Sequence, residues 1–187
     1  MRTLIPLIWL AGSSCVLAEP FTLSSPDFHH DAPLSDSNAF KGYGCQGANR
    51  SPALRWNNPP AGTRSFAILV HDPDAPTGGS GWWHWQVVDL PAEQRQLPGN
   101  AGSPKGAGLP AGVRQLPTDF GTAAWGGPCP PAGDLPHRYQ FTLYALSVKK
   151  LDLPKGAGPA MAGYLVNKFS IGKATLTGTY ANPVAIP

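Results

Sequence analysis

The sequence is poor in charge. Only 13% of its 187 residues are Asp, Glu, Lys or Arg, and the formal net charge is +3. A nucleic-acid-binding surface needs basic residues gathered in a stripe or cluster. Here the fourteen Lys and Arg are scattered, and Lys149-Lys150 is the only adjacent pair, which excludes nucleic acid as a partner. Long apolar runs are also missing. The stretch Leu4 to Leu10 is interrupted by Pro6 and is too short to span a bilayer, so no transmembrane anchor is expected. No Gly-x-Ser-x-Gly elbow is present, Gly79-Ser80-Gly81 being too short a match, and no His/Cys spacing follows a standard zinc pattern. There is no internal repeat and no shift in composition that would mark a second domain.

Cysteine is scarce, with three in the chain. The first lies in a segment that reads as an export leader rather than as part of the fold. Arg2 gives a positive start, Leu4 to Leu10 an apolar middle, and Val16-Leu17-Ala18 a cleavage site after Ala18. The alternatives are a buried N-terminal helix and a lipoprotein anchored at Cys15, for which Gly12-Ser13-Ser14 is a poor lead-in. The sequence therefore predicts a signal peptide over 1–18, a single domain over 19–187, and a periplasmic or secreted protein. Removing the leader leaves Cys45 and Cys129, an even number in an oxidising compartment. They are expected to pair, the alternative being two small buried thiols.

What the sequence has in quantity is glycine and proline, 22 of each, spread between apolar runs. Such punctuation suits a β-rich domain with many turns and long ordered loops. Ser65 to His71 is a continuous apolar run, as in a strand buried on both faces. Trp82 to Leu90 and Arg138 to Ser147 read as further strands, and short ones are expected at Leu54-Arg55-Trp56 and from Ala174 to Tyr180. Pro159 and the apolar spacing from Met161 to Phe169 predict a helix ended before Gly172. Pro98 to Pro117 and Gly121 to Pro136 read as long loops.

Side chains alternate along a strand. That puts Trp82, His84 and Gln86 on one face of the second strand, Trp83 and Trp85 on the other, and His137, Tyr139 and Phe141 together on the third. Asp72 ends the first strand and opens the loop Asp72-Pro73-Asp74-Ala75-Pro76. If these strand ends adjoin, one mouth collects Asp72, Asp74, Trp82, His84, His137 and Tyr139. Two imidazoles and a phenol are donors. Thr77-Gly78-Gly79-Ser80-Gly81 and Gly126-Gly127 offer backbone N–H groups without Cβ obstruction. Such a mouth suits a phosphate or carboxylate, with Asp72 favouring a charged imidazolium, so binding should be stronger at acid than at alkaline pH. Against this, each histidine alone reads equally well as a satisfied core residue, and the Asp-Pro loop as turn chemistry. His29-His30 read as surface residues, and His71, Trp83 and Trp85 as structural.

The segments Asp72-Pro73-Asp74-Ala75-Pro76, Gly81-Trp82-Trp83-His84-Trp85, Gly127-Pro128 and Pro131 to Tyr139, ending in Pro136-His137-Arg138-Tyr139, together resemble the two signature blocks of the phosphatidylethanolamine-binding (Raf-kinase-inhibitor-like) family. Ser51-Pro52-Ala53-Leu54-Arg55-Trp56 with Pro60-Ala61-Gly62-Thr63 resembles the block before them, and Thr118-Asp119-Phe120-Gly121 a segment of the bacterial branch. The resemblance runs from about Phe21 to Tyr180. It implies a mainly β fold of two packed antiparallel sheets with one or two short peripheral helices, and a small pocket at one end for a phosphate-like anion or phospholipid head group. Carried over by position, the pocket residues are Asp72, Pro76, Trp82, His84, Pro131, His137 and Tyr139, with Asp74 bracing the loop and Arg138 structural. No cofactor and no catalytic residue is implied. A homodimer is, and so is modulation of a partner protein, although the kinase regulation of eukaryotic relatives does not transfer to an exported protein.

The chain departs from that pattern at Cys129 and the longer run Pro130 to Pro136, and in the Gly/Pro-rich stretch Ala101 to Gly112, which is expected to alter access to the pocket. The rival readings are a small-molecule hydrolase or a metal-binding protein, either using His84, His137 and Asp72, and an interaction protein whose pocket is incidental.

Overall fold

A computed structural model of the chain describes residues 19–182. The expected leader, with Cys15, lies outside them. The strands in chain order are β1 (Thr22–Ser24), β2 (Ala32–Pro33), β3 (Lys41–Gly42), β4 (Cys45–Gln46), β5 (Leu54–Asn57), β6 (Ser65–Asp72), β7 (Trp82–Pro91), β8 (Gln96–Leu97), β9 (Arg114–Gln115), β10 (His137–Leu146) and β11 (Ser170–Tyr180). The helix among the described residues, α1, spans Pro159–Phe169. The long strands form a six-stranded sheet in the order β2-β11-β10-β6-β7-β9. A three-stranded sheet, β1-β5-β8, and a two-stranded hairpin, β3-β4, complete the architecture. The sheets are antiparallel except where the short edge strand β2 runs parallel to β11.

The continuous apolar run of β6 is buried on both faces because each face meets a different layer. Phe66, Ile68 and Val70 join Leu54, Trp56 and Leu97 of the three-stranded sheet in the main core. Ala67 and Leu69 turn the other way, into a second cluster with Ala162 and Val166 of α1. Full burial of each such Leu, Ile or Phe contributes roughly 1.5–3 kcal/mol. The helix starts at Pro159, whose missing N–H costs nothing in the first turn, and carries Lys168 in its last turn, opposite the negative end of the dipole.

Strand β7 departs from simple alternation. Val70 faces Trp85 while His71 faces Trp83, so His84 is an extra residue in the ladder. Such a bulge re-aims the side chains around it. Trp85 packs in the main core, whereas Trp83 joins the helix-side cluster, so the two do not share a face as alternation predicts. Gln86 is likewise turned away from His84, its amide donating to the Pro117 carbonyl at 2.6 Å. A second irregularity at Asp89 (φ 65) lets its carboxylate hold Arg114 Nε at 2.7 Å and the Leu151 N–H at 2.8 Å.

The long loop from Pro98 to Pro117 is a chain of turns closed by backbone hydrogen bonds, Gly106 N–H to the Ser103 carbonyl at 2.8 Å and Leu109 N–H to the Gly106 carbonyl at 2.9 Å, with β9 at its end. Cys45 and Cys129 form a disulfide across a sequence separation of 84, with Cα atoms 5.9 Å apart. It pins the β3-β4 hairpin to the second long loop.

Candidate functional site

The antiparallel pairing of β6 with β7 and with β10 brings the end of β6 beside the starts of both neighbours. Asp72 therefore sits level with Trp82 and close to His137. The acid makes two kinds of contact. Its Oδ2 accepts from His137 Nδ1 at 2.8 Å, and its Oδ1 accepts the backbone N–H groups of Asp74 (2.8 Å) and Ala75 (3.1 Å), closing the Asp-Pro-Asp turn on itself. Two residues on, Asp74 binds the next residue of β10. Its carboxylate takes Arg138 Nη2 at 2.6 Å, Nε at 2.9 Å and the Arg138 backbone N–H at 2.9 Å. The Arg138 guanidinium holds the Asp74 carboxyl down at about 2. One short loop thus fixes His137 and Arg138 on opposite faces of a single strand.

Asp72 and His137 help to wall a cavity of about 340 Å³. Seven of the eight ligand-contact residues expected from the sequence line it: Asp72, Pro76, Trp82, His84, Pro131, His137 and Tyr139. Asp74 does not. Its carboxylate is consumed by Arg138, so it braces the loop and is no ligand contact. The polar members are deeply buried: exposure is 3% for Asp72 and His84, 5% for His137 and 0% for Tyr139.

The two histidines are not equivalent, although the sequence reading treated both imidazoles alike as donors. His137 is bonded to a carboxylate at Nδ1, and its Nε2 lies 3.4 Å from Oδ2 of Asp134, a half-exposed acid on the proline-rich loop. His84 has no acid partner. Its Nδ1–H donates to the Gly126 carbonyl at 2.6 Å, and Gly126 N–H donates back to the His84 carbonyl at 2.9 Å. Burial is the main cause that pushes the His84 imidazole down to about 4 from 6.5, so it is neutral at ordinary pH. Nε2 of His84 and the hydroxyl of Tyr139 are both buried without a hydrogen-bond partner. Burial, and secondarily the charge of Asp72, raises the Tyr139 phenol, which keeps its proton.

The glycines serve another purpose than expected. Gly126 N–H is spent on His84 and Gly127 N–H on Asn49 Oδ1 (2.8 Å), so neither faces a ligand. A Cβ on Gly126 would run into the Phe120 ring, and one on Gly81 (φ 66) into the His71 ring and the Asp72 carbonyl. Both positions need glycine for close packing against the site. No residue of Ala101 to Gly112 lines the cavity, so that stretch does not govern access to it.

Several wall residues escape sequence reasoning. Phe120 stands edge-on to Trp82 (5.6 Å between ring centroids) and to His84 (5.3 Å), and stacks on Phe40 at 4.5 Å. It is positioned by Asp119, whose Oδ2 accepts the Trp83 N–H at 2.8 Å. Tyr43, at the tip of the β3-β4 hairpin, lies 6.3 Å from Phe120 and completes the aromatic rim. Cys129 and Pro130 add a wall of their own, so the disulfide is part of the cavity. The only signal for Tyr43 in the sequence was its place two residues before Cys45. Asp134 had none.

Among the described residues, no three His, Cys, Asp or Glu side chains are grouped as metal ligands would be. Ser80, the serine nearest in sequence to His84, donates to Thr77 Oγ1 at 3.0 Å and does not line the cavity.

Comparison with known proteins adds to the geometry. The family model described as phosphatidylethanolamine-binding protein matches residues 24–181. The UPF0098 protein YbcL of Escherichia coli is 45% identical over 181 residues, covering 96% of this chain and 98% of YbcL. YbhB of the same organism is 45% identical over 159 residues, covering 85% and 99%. The crystal structure of YbcL, described as a new member of the mammalian PEBP family, superposes with a TM-score of 0.84 over 87% of this chain and 98% of YbcL.

Proposed function

The chain belongs to the phosphatidylethanolamine-binding protein family, and from that premise we propose that it is a non-catalytic binder of a phosphate-like anion or phospholipid head group. One observation carries this reading. The buried Asp72–His137 pair, His84 with its unpartnered Nε2 and the buried Tyr139 all belong to the wall of one cavity of about 340 Å³. Buried polar atoms without partners are costly, and a small polar ligand would satisfy them. Aromatic and proline side chains make up most of the remaining wall.

The protein is proposed to work outside the cytoplasm, which the Cys45–Cys129 bridge supports, since disulfides persist in oxidising compartments. Its effect would be exerted by modulating a protein partner, and its assembly would be a homodimer, both following from the family. Thermal unfolding in inorganic phosphate and in phosphoethanolamine tests the ligand. Either at about 100 times its Kd should stabilise the fold by about 2.7 kcal/mol, and a melting temperature that neither ligand moves would remove the proposal. Native mass spectrometry of the exported protein reads what small molecule leaves with it and how many chains travel together.

A further inference from the structure

Along the chain the cations are scattered, but the fold gathers five of them. The stretch Ser147 to Tyr180 holds Lys149, Lys150, Lys155, Lys168 and Lys173 against one acid, Asp152. Ser147 N–H donates to the Phe169 carbonyl at 2.9 Å, which sets the end of α1, with Lys168, beside the end of β10 and the Lys149-Lys150 pair that follows it. Lys173 is level with Tyr144 in the pairing of β11 with β10. The loop that carries Lys149, Lys150 and Lys155 packs Val148, Leu151 and Leu153 with Ala162 and Val166 of α1 in the helix-side cluster. All five lysines are exposed. The ion pairs among the described residues engage none of them.

The outward side of α1 is unusual for a surface helix. Ala162 and Val166 are its buried residues. Away from them, Met161, Tyr164 and Lys168 fall at i, i+3 and i+7, which is one stripe. A solvent-facing stripe is ordinarily polar. Here Met161 is 44% and Tyr164 64% exposed, and α1 contains no acid. Two large apolar side chains thus stand in water among ammonium groups that lack acidic partners.

What fits such a surface is an apolar layer capped by negative charge. Tyrosine settles at the interface of a bilayer, and lysine stems lie along apolar surface while their ammonium groups meet anionic head groups. A second copy of the chain fits poorly. A two-fold contact places each patch against itself, so lysines would meet lysines with Asp152 as the sole acid. We propose that α1 and the adjoining lysines form a peripheral docking face for an anionic phospholipid surface. The contact is reversible, because two apolar side chains and a few cations do not amount to an anchor. The face is separate from the cavity. Tyr139, in the cavity wall, belongs to the main core on the other side of the six-stranded sheet, whereas α1 packs in the helix-side cluster. A docked molecule turns the cavity side of that sheet away from the lipid.

The test is flotation of the exported protein with vesicles of phosphatidylcholine, with and without phosphatidylglycerol. Binding is expected to the mixed vesicles only. It should fall as salt rises, since the screening length shrinks from about 10 Å at 0.1 M to about 3 Å at 1 M. Reversing two charges, Lys168→Glu with Lys173→Glu, should weaken binding at least about tenfold. Met161→Ser with Tyr164→Ser should weaken it at every salt concentration, and Lys105→Glu, outside the face, should change nothing. All these positions are exposed, so the variants should melt near the parent temperature. Equal binding to both kinds of vesicle, binding to neither, or full binding by the charge-reversed variant would overturn the proposal. So would displacement from vesicles by soluble phosphoethanolamine at matched ionic strength, which would assign the membrane to the cavity. Two further results would give the face to another partner and overturn it. Soluble polyglutamate retained where vesicles are not would mark an acidic protein, and a dimer in sedimentation that Tyr164→Ser dissociates would mark a second copy.

Discussion

Asp72 and His137 meet at 2.8 Å across 65 residues of chain, each almost wholly buried. The contact orients the imidazole and leaves the second oxygen of Asp72 to close the turn that also fixes Arg138. Replacing Asp72 with Asn keeps the shape but removes the charge that holds His137. A charge-assisted hydrogen bond contributes roughly 1.5–3 kcal/mol. Asp72→Asn should therefore lower stability in urea by about 2 kcal/mol and remove the phosphate-induced rise in melting temperature. A variant that binds phosphate normally would detach this pair from the ligand.

His84 should make the protein acid-sensitive. Its pKa is about 4 in the fold and 6.5 in the unfolded chain. Above 6.5 both states are neutral and the residue contributes no pH dependence. As pH falls from 6.5 to 4, the unfolded chain takes up the proton that the folded one refuses, so stability drops, by about 3 kcal/mol in all, and levels off below 4. Denaturation curves at stepped pH should show this loss, and His84→Gln should lack it. An identical acid profile in the variant would refute the assignment.

Phe120 should control the same pKa. Its ring closes over His84 and Trp82. Phe120→Ala is expected to cost about 1–3 kcal/mol, the ring being half-buried. It should also admit water, and nuclear magnetic resonance titration should find the His84 pKa moving up toward 6.5. An unmoved pKa would mean that burial by the sheets alone sets it.

The disulfide joins two walls of the cavity, the Tyr43 hairpin and the Cys129–Pro131 segment. Chain-entropy arguments assign a crosslink over 84 residues about 4–5 kcal/mol. The double replacement of Cys45 and Cys129 by Ser should destabilise by a few kcal/mol. It should also weaken phosphate binding, measured by calorimetry at a temperature where the variant is folded. Unchanged affinity would reduce the bridge to a stabiliser.

Much of the fold was legible because the relevant forces are local. The continuous apolar run at β6, the helix opening at Pro159 and the three long strands follow from periodicity and turn chemistry read along the chain. Asp72, Trp82, His84, His137 and Tyr139 line one cavity because strand ends next to Gly/Pro loops carry them, whereas Pro76 and Pro131 were implied by the family resemblance. Where local reading failed, a non-local cause was at work. Trp83 and Trp85 part company because His84 is an extra residue against β6, and a bulge has no signature in an alternating pattern. Asp74, which alternation placed at the mouth, instead has its carboxylate bonded to Arg138.

The order of apolar and turn residues by itself determined the longer strands, the helix and which side chains stand at the strand ends. The folded molecule alone decided that His84 is neutral and accepting, that Gly126 and Gly127 spend their N–H groups on the protein, and that Phe120 and Tyr43 roof the cavity. The division is physical. Secondary structure answers to neighbours a few residues away, whereas a buried group's charge and hydrogen bonds answer to whatever the whole chain packs around it.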